Sequence, residues 1–320
     1  MKITLAVNIK KSNDESEAEF DIPETVEFIR KNIESLSHQV TVVDVGCSVK
    51  ELIIRLEDCQ PELIFNLAEG SVGDHREAFY PALYEQLGYR YTGSGPEAMV
   101  LSANKRLASK IGTFSFKSVI FKHSDVAYLK EDRFELEFDD EDLWFVKPLF
   151  EGSSKGITQK SVFSLENAKD VLLDLIERYG QVLVEPYYKG IDISVAWVEG
   201  MGCLEPCSYH FKSIGEYNIY EYSLKRTGEN LVEARVPAEI DDLNKEDLIS
   251  TTENIINRLG IKGLARADFR FDAATNSLEF IEINPLPSLA PGNDAEMYKA
   301  LALIGKEPKD LFDAVIKAAL

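Results

Sequence analysis

Residues 1–95 alternate short apolar runs with amphipathic segments that open on helix-start signals. Ile3–Val7, Gln39–Val45 and Leu63–Asn66 are runs of strand length, and Tyr89–Tyr91 is a shorter fourth. Between the first two, Asp21-Ile-Pro-Glu24 reads as an N-cap with a glutamate three residues on. Val26, Ile29, Ile33 and Leu36 then share one helical face. Ser48-Val-Lys-Glu51 is a capping box before Leu52, Ile53, Ile54 and Leu56, and a further helix runs from Ala78 to Leu87. Strand–helix alternation of this kind implies a parallel sheet with helices on its faces, so the chain is predicted to be α/β over 1–95.

Beyond residue 95 the pattern changes. Pro96 suits the first turn of a helix that carries Lys105, with Lys110 near its end. Strands are predicted at Ser118–Phe121, Trp144–Val146 and Val182–Val184, with a helix over Leu165–Tyr179. The acidic run Asp132–Asp142 reads as a solvated loop without function. From 185 the chain is strand-rich until Pro237. It then has a helix over Asn244–Leu259, a hairpin, and a last helix over Lys309–Leu320.

A net charge of −20 over 320 residues disfavours nucleic acid and anionic membranes as main partners. It also means that an anionic substrate must be met by a local cluster of Lys and Arg. There is no apolar run of about 18 residues and no long apolar leader segment, so a cytoplasmic location is expected. Cys203 and Cys207 are a weak metal pair with no second pair beside them, and Cys47 and Cys59 are expected to be reduced thiols.

The hairpin is Gly263 to Leu289. Ala267, Phe269 and Phe271 alternate with Arg266, Asp268 and Arg270; after the turn, Ile281 and Ile283 take one side and Glu282 the other. Asn284 continues the side of Glu282, and strict alternation puts Phe280 there too. Asp268, Glu282 and Asn284 brought together, with Arg266 nearby, make an all-oxygen set suited to Mg²⁺. The same pattern also suits a solvated hairpin face.

Neither Gly-x-Gly-x-x-Gly after the first strand nor Gly-x-x-x-x-Gly-Lys-Ser/Thr occurs. A different anion loop is present. Phe145-Val-Lys147-Pro ends a strand, and Glu151-Gly-Ser-Ser-Lys-Gly156 offers backbone and hydroxyl donors above the Lys147 charge. Leu183-Val-Glu185 leads through Tyr188 to Asp192, a strand end with carboxylates that suits a base and a ribose. A plain hairpin tip and a domain connection are the alternatives for these two segments.

Taken in order, Leu63-Ile-Phe-Asn66, Tyr91-Thr-Gly-Ser-Gly95, Lys105, Lys147-Pro148, Glu151-Gly-Ser-Ser154, Glu185, Tyr220-Glu-Tyr-Ser-Leu-Lys225, Arg266-Ala-Asp268 and Glu282-Ile-Asn284 resemble the ATP-grasp enzymes. The resemblance is in particular to D-alanine–D-alanine ligases. It implies an α/β chain with α+β lobes: a pre-ATP-grasp parallel-sheet domain over 1–95, an ATP-grasp N-lobe over 96–184 and a C-lobe over 185–320. It implies that Lys105 and Lys147 contact the α- and β-phosphates of ATP, and that Ser153 and Ser154 cover the phosphates. Glu185, Tyr188 and Asp192 would hold adenine and ribose. Lys225 would reach the γ-phosphate from a mobile loop, and Asp268, Glu282 and Asn284 would bind Mg²⁺, with Mn²⁺ as a substitute. Arg266, Lys225 and Ser153 form the implied catalytic set. The implied partners are a small-molecule carboxylic acid and an amine, and a homodimer is left open.

Where the family has a Gly-Gly-x-Ser-x-Glu loop, this chain has Asn8-Ile-Lys-Lys-Ser-Asn-Asp-Glu-Ser-Glu17, with Glu15 or Glu17 as the stand-in acid. Glu69-Gly70 replaces His-Gly, and Arg76 sits in the altered Gly73-Asp-His-Arg-Glu77. Asn284-Pro-Leu-Pro-Ser-Leu-Ala290 replaces Asn-Thr-x-Pro-Gly-Met-Thr, placing Ser288, Asn293 and Asp294 at the acceptor. From these departures the expected function is a carboxylate–amine ligase that works through an acylphosphate on substrates other than two D-alanines. The alternatives are D-alanine–D-alanine ligase itself and a non-catalytic ATP-binding regulator.

Overall fold

The structure is a computed structural model that describes residues 1–113, 118–126, 129, 143–212, 215–223, 231–292 and 295–320. Strands β1 (Lys2–Val7), β2 (Gln39–Asp44) and β3 (Leu63–Leu67) pair in parallel in the order β2-β1-β3. The run at Tyr89–Tyr91 adds only one parallel bridge, Ile64 to Tyr91; Gly93, at φ +88, then turns the chain away.

Helix α1 (Pro23–Ser35) has Ile22 as N-cap and Pro23 in its first turn, and no side chain caps it. Asp21, the predicted cap, is taken up elsewhere: its backbone bonds Asn8 and Lys10, forming a bridge with Ile9. In α2 (Val49–Cys59) Ser48 does cap, accepting from the Glu51 N–H. Helix α3 (Arg76–Leu87) completes this layer.

The predicted helix carrying Lys105 is two helices, α4 (Pro96–Ala103) and α5 (Lys105–Thr113). Asn104 leaves helical space at ψ 94°, and its side chain accepts from the Leu107 N–H, so it ends one helix and caps the next. Both helices pack, through Ala98 and Ala108, into the core beneath the larger of two antiparallel sheets.

Strands β4 (Val119–Lys122), β5 (Trp144–Pro148), β6 (Val162–Phe163) and β7 (Gln181–Pro186) form the smaller antiparallel sheet in the order β4-β7-β5-β6. Helix α6 (Ala168–Tyr179) covers it, burying Leu172, Leu175 and Ile176 against Trp144 and Val146. The larger sheet is built from β8 (Ile191–Val198), β9 (Gly202–Cys203), β10 (Cys207–Phe211), β11 (Val232–Arg235), β12 (Leu264–Asp272) and β13 (Ser277–Asn284). It runs β11-β10-β8-β12-β13, with β9 beside β8. Helix α7 (Asp242–Leu259) lies on it.

The β12–β13 hairpin carries a bulge. Asp268 pairs with Glu282 but Phe269 pairs with Phe280, which leaves Ile281 outside the count. Strict alternation puts Phe280 with Glu282; the bulge instead sends it into the core with Ile283, at 5% and 3% exposure. Ile281 and Glu282 both open to the cleft.

Helices α8 (Glu296–Leu303) and α9 (Pro308–Ala318) carry the chain end back onto the first sheet. Phe312 is fully buried, with ring centroids 5.9 Å from Phe65 and 6.4 Å from Phe28. Phe312→Ala is expected to cost about 3–5 kcal/mol by opening a cavity between the last helix and the parallel sheet. Chemical denaturation checks this, and a loss under about 1 kcal/mol would show that the helix does not seal the core.

Candidate active site

One cavity of about 910 Å³ is walled by the β12–β13 hairpin, the ends of β5 and β7, the 151–156 loop, the N-terminal segment at 18–21 and the stretch after β13. The hairpin register sets Asp268 opposite Glu282 and Arg266 opposite Asn284. Arg266 grips Asp268 with both faces of its fork, Nε to Oδ1 at 2.8 Å and Nη2 to Oδ2 at 2.7 Å. Lys105 places its Nζ 3.3 Å from Glu282 Oε2 and donates to the Glu151 carbonyl at 2.6 Å. The Asn284 Oδ1 accepts from the Leu286 N–H. Two carboxylates paired across strands beside an amide oxygen form a hard donor set that fits Mg²⁺, and each carboxylate has a cation alongside it. Among the described residues no cluster of three His, Cys, Asp or Glu suits a metal. Cys203 and Cys207 are free thiols that burial pushes up to about 12, which does not suit them as metal ligands.

Lys147 and Glu185 meet at 2.7 Å, each side chain only 3% exposed. Burial raises the Glu185 carboxyl and Lys147 pulls it back down. Tyr188 and Asp192 line the same cavity, tied together by Arg270, which donates to the Tyr188 carbonyl at 3.0 Å and pairs with Asp192.

In the 151–156 loop, Ser153 and Ser154 both have positive φ, +51° and +58°. Consecutive left-handed residues other than glycine are strained by roughly 1 kcal/mol or more each and need outside support. The N-terminal segment supplies it. Glu19 Oε1 accepts from the Gly152 N–H at 3.0 Å and Glu15 Oε1 from the Gly156 N–H at 3.2 Å. Lys155 reaches Glu19 Oε2 at 2.7 Å. A Cβ on Gly152 would fall 2.3 Å from Glu19 Oε1, so a side chain there would push the Glu19 carboxylate aside.

The acids that line the cavity from this segment are therefore Glu19 and Asp21, not Glu15 or Glu17. Glu15 grips the loop and the Tyr179 hydroxyl, while Glu17 accepts from the Lys11 and Ser12 N–H groups of its own turn. Arg76 lies behind the lining, its guanidinium held by Glu19 at 2.8 Å and Glu151 at 3.2 Å. Glu69 and Ser288 line the cavity. Lys225, Asn293 and Asp294 lie outside the described residues, as does the acidic run 132–142. Sequence reading missed Glu19, Lys155, Tyr209 and Glu296, which also line the cavity. The only signal for Lys155 was its place in the Gly-Ser loop; the others stand in no recognisable spacing.

Two antiparallel sheets around such a cavity, with a carboxylate-and-amide face beside Lys and Arg, belong with an ATP-grasp fold in an ATP-dependent ligase that forms C–N bonds. The family model described as D-ala D-ala ligase C-terminus matches residues 119–317. The chain belongs to the D-alanine–D-alanine ligase family. It is 28% identical over 302 residues to the D-alanine–D-alanine ligase of Rickettsia massiliae (strain Mtu5), covering 92% of this chain and 85% of that one. The enzyme of that name from Rickettsia felis is also 28% identical, with the same coverage. Among solved structures, the D-alanine–D-alanine ligase of Bacillus anthracis complexed with ATP superposes with a TM-score of 0.74 at 16% identity, covering 100% of this chain and 97% of that one. The VanG D-Ala:D-Ser ligase of Enterococcus faecalis gives 0.72 at 19% identity, covering 99% of each chain. The expectation of substrates other than two D-alanines is corrected by these relatives, which are named D-alanine–D-alanine ligases over nearly the whole chain. That expectation rested on departures in a few loops, whereas the similarity runs over 92% of the chain.

Burial raises three carboxyls at the N-terminal end of the cavity. Glu77 goes to about 7 and Asp21 to about 6; Glu69 lies well above its ordinary value, with Glu77, Glu19 and Asp21 adding to the rise. Each binds its proton more tightly folded than unfolded. Stability from these groups is full below the ordinary value of 4.5 for Glu and is lost as pH rises toward about 7. Glu77→Gln should gain on the wild type across that window and hold a constant advantage above it. Denaturation series through the window check this; a pH-independent difference would contradict it.

Proposed function

We propose that this chain is a D-alanine–D-alanine ligase: ATP phosphorylates the carboxylate of one D-alanine, and the amine of a second displaces the phosphate. The observation that carries the reading is the hairpin wall, where Arg266, Asp268, Glu282 and Lys105 converge within one cavity. A carboxylate is a poor electrophile at neutral pH, and phosphorylation gives it a leaving group. What the protein must supply is position and charge, and no nucleophilic side chain is required.

Lys105 and Lys147 are assigned to the α- and β-phosphates, and the Ser153-Ser154 turn to the cover over them. Glu185, Tyr188 and Asp192 are assigned to adenine and ribose. Arg266 is placed to stabilise the transferring phosphoryl group and the oxyanion formed after it, with Lys225 on the γ-phosphate. Glu69 and Ser288 are assigned to the amino-acid end. Asp268, Glu282 and Asn284 would hold Mg²⁺, or Mn²⁺ in its place, and the ion would neutralise charge on the phosphoryl oxygens. Domains at 1–95, 96–184 and 185–320, a cytoplasmic location and a homodimer complete the proposal. Among the described residues no helix is long and apolar enough to cross a membrane.

With D-alanine as the sole amino acid, the expected products are ADP, phosphate and the D-alanyl dipeptide in equal amounts, read by mass detection. Phosphate release that ignores D-alanine would overturn the reading. Asp268→Asn and Glu282→Gln should each lower turnover on the order of 10²-fold or more while leaving the fold intact. Wild-type rates in both at ordinary Mg²⁺ would remove the metal assignment.

A further inference from the structure

Arg266 is claimed from two sides. Its Nε and Nη2 face Asp268, and its Nη1 lies 3.7 Å from Oε1 of Glu296, in the first turn of α8. Glu296 comes from a separate element, lines the same cavity, and keeps 16% of its side chain exposed. At 3.7 Å the contact is looser than a hydrogen bond, so the carboxylate keeps its capacity to accept a proton from a ligand.

Amide formation sets a requirement that the residues assigned to ATP and Mg²⁺ do not meet. The acceptor enters as an ammonium, and only the neutral amine can attack. The attacked carbonyl must place its developing oxyanion on Arg266, which brings the attacking nitrogen to the same neighbourhood. A base there must come within about 3 Å of the nitrogen. The groups beside Glu296 are Arg266 on β12, Cys207 and Tyr209 on β10, and Tyr298 on α8, with Lys299 beside Cys207 and Asp268 beyond Arg266. Burial raises the Tyr209 hydroxyl well above its ordinary range and the Cys207 thiol to about 12, so both keep their protons. Tyr298, also raised, donates to the Leu289 carbonyl, and Lys299 donates to the Ala234 carbonyl. Asp268 is bound on both oxygens by Arg266.

We propose that Glu296 is the general base for the acceptor, a catalytic residue that takes a proton from the ammonium of the second D-alanine. The assignment rests on the reading of this chain as a D-alanine ligase. Glu296 accepts one proton, and the freed lone pair forms the C–N bond at the acylphosphate carbon. The carbonyl electrons move onto oxygen beside Arg266. Collapse breaks the C–O bond to phosphate, which leaves with the electron pair and takes up the second proton from nitrogen. The proton on Glu296 passes to solvent.

The test compares two acceptors in Glu296→Gln and in the wild type, with ATP, Mg²⁺ and D-alanine as donor. One acceptor is D-alanine, which must lose a proton. The other is hydroxylamine, a small nucleophile that is largely neutral near pH 7 and traps the acylphosphate as a hydroxamate. Glu296→Gln should lower dipeptide formation about 10²-fold or more, the range of general-base effects, and leave hydroxamate formation within a few-fold of wild type. Glu296→Asp, which keeps a carboxylate, should recover part of the dipeptide rate and give a second reading if the Gln variant folds poorly. A parallel fall in both products would make Glu296 a holder of Arg266 and overturn the proposal, as would no fall in either. Dipeptide formation by the wild type reads the ligase assignment alone, and the dipeptide-to-hydroxamate ratio reads Glu296.

Discussion

Arg266 and Asp268 sit two residues apart on one strand, so they share a face, and the fork-to-carboxylate pair between them organises the cavity wall. A buried charge without a partner costs several kcal/mol, so cations gathered for an anionic ligand need counter-charges before it arrives. Here the counter-charges are the carboxylates of the hairpin: Asp268 for Arg266, Glu282 for Lys105. The same device recurs with Lys147 and Glu185, and with Arg76, Lys155 and Glu19. This is how a chain of net charge −20 can concentrate Lys and Arg at one site and stay folded.

The bulge at Ile281 is the geometric counterpart. It allows Phe280 and Ile283 to enter the core from one strand while Glu282 stays on the cleft side opposite Asp268. The strained serine turn is a second case of local structure set from a distance. Glu19 and Glu15, more than a hundred residues away in sequence, hold the amides on both flanks of Ser153 and Ser154. The N-terminal segment that lines one end of the cavity thereby also shapes the loop assigned to the phosphates.

Much of this architecture was legible in the sequence because it depends on neighbours along the chain. The three parallel strands, the Ser48 cap and the hairpin with Arg266, Asp268 and Glu282 arise from period and capping chemistry. The bulge was not legible, because a period of two has no marker for a skipped residue. Asn104 was not either; a single polar residue inside a helical pattern signals a break only once its side chain is seen capping the next helix. Asp21 looked like a cap, but the bridge to Ile9 competed for its backbone. Glu19 and Glu296 were missed because tertiary contact, not spacing, brings them to the cavity. The substrate expectation failed because it rested on a few loop positions, while the similarity to D-alanine–D-alanine ligases extends over 92% of the chain.

The proposed role of the wall formed by Arg266, Asp268, Glu282 and Lys105 is transfer of a phosphoryl group to a carboxylate. The direct measurement uses D-alanine labelled with ¹⁸O in its carboxylate, with mass analysis of the phosphate released during turnover. Transfer through an acylphosphate moves one labelled oxygen into each phosphate formed, and singly labelled phosphate is the expected result. Unlabelled phosphate formed alongside the dipeptide would contradict it.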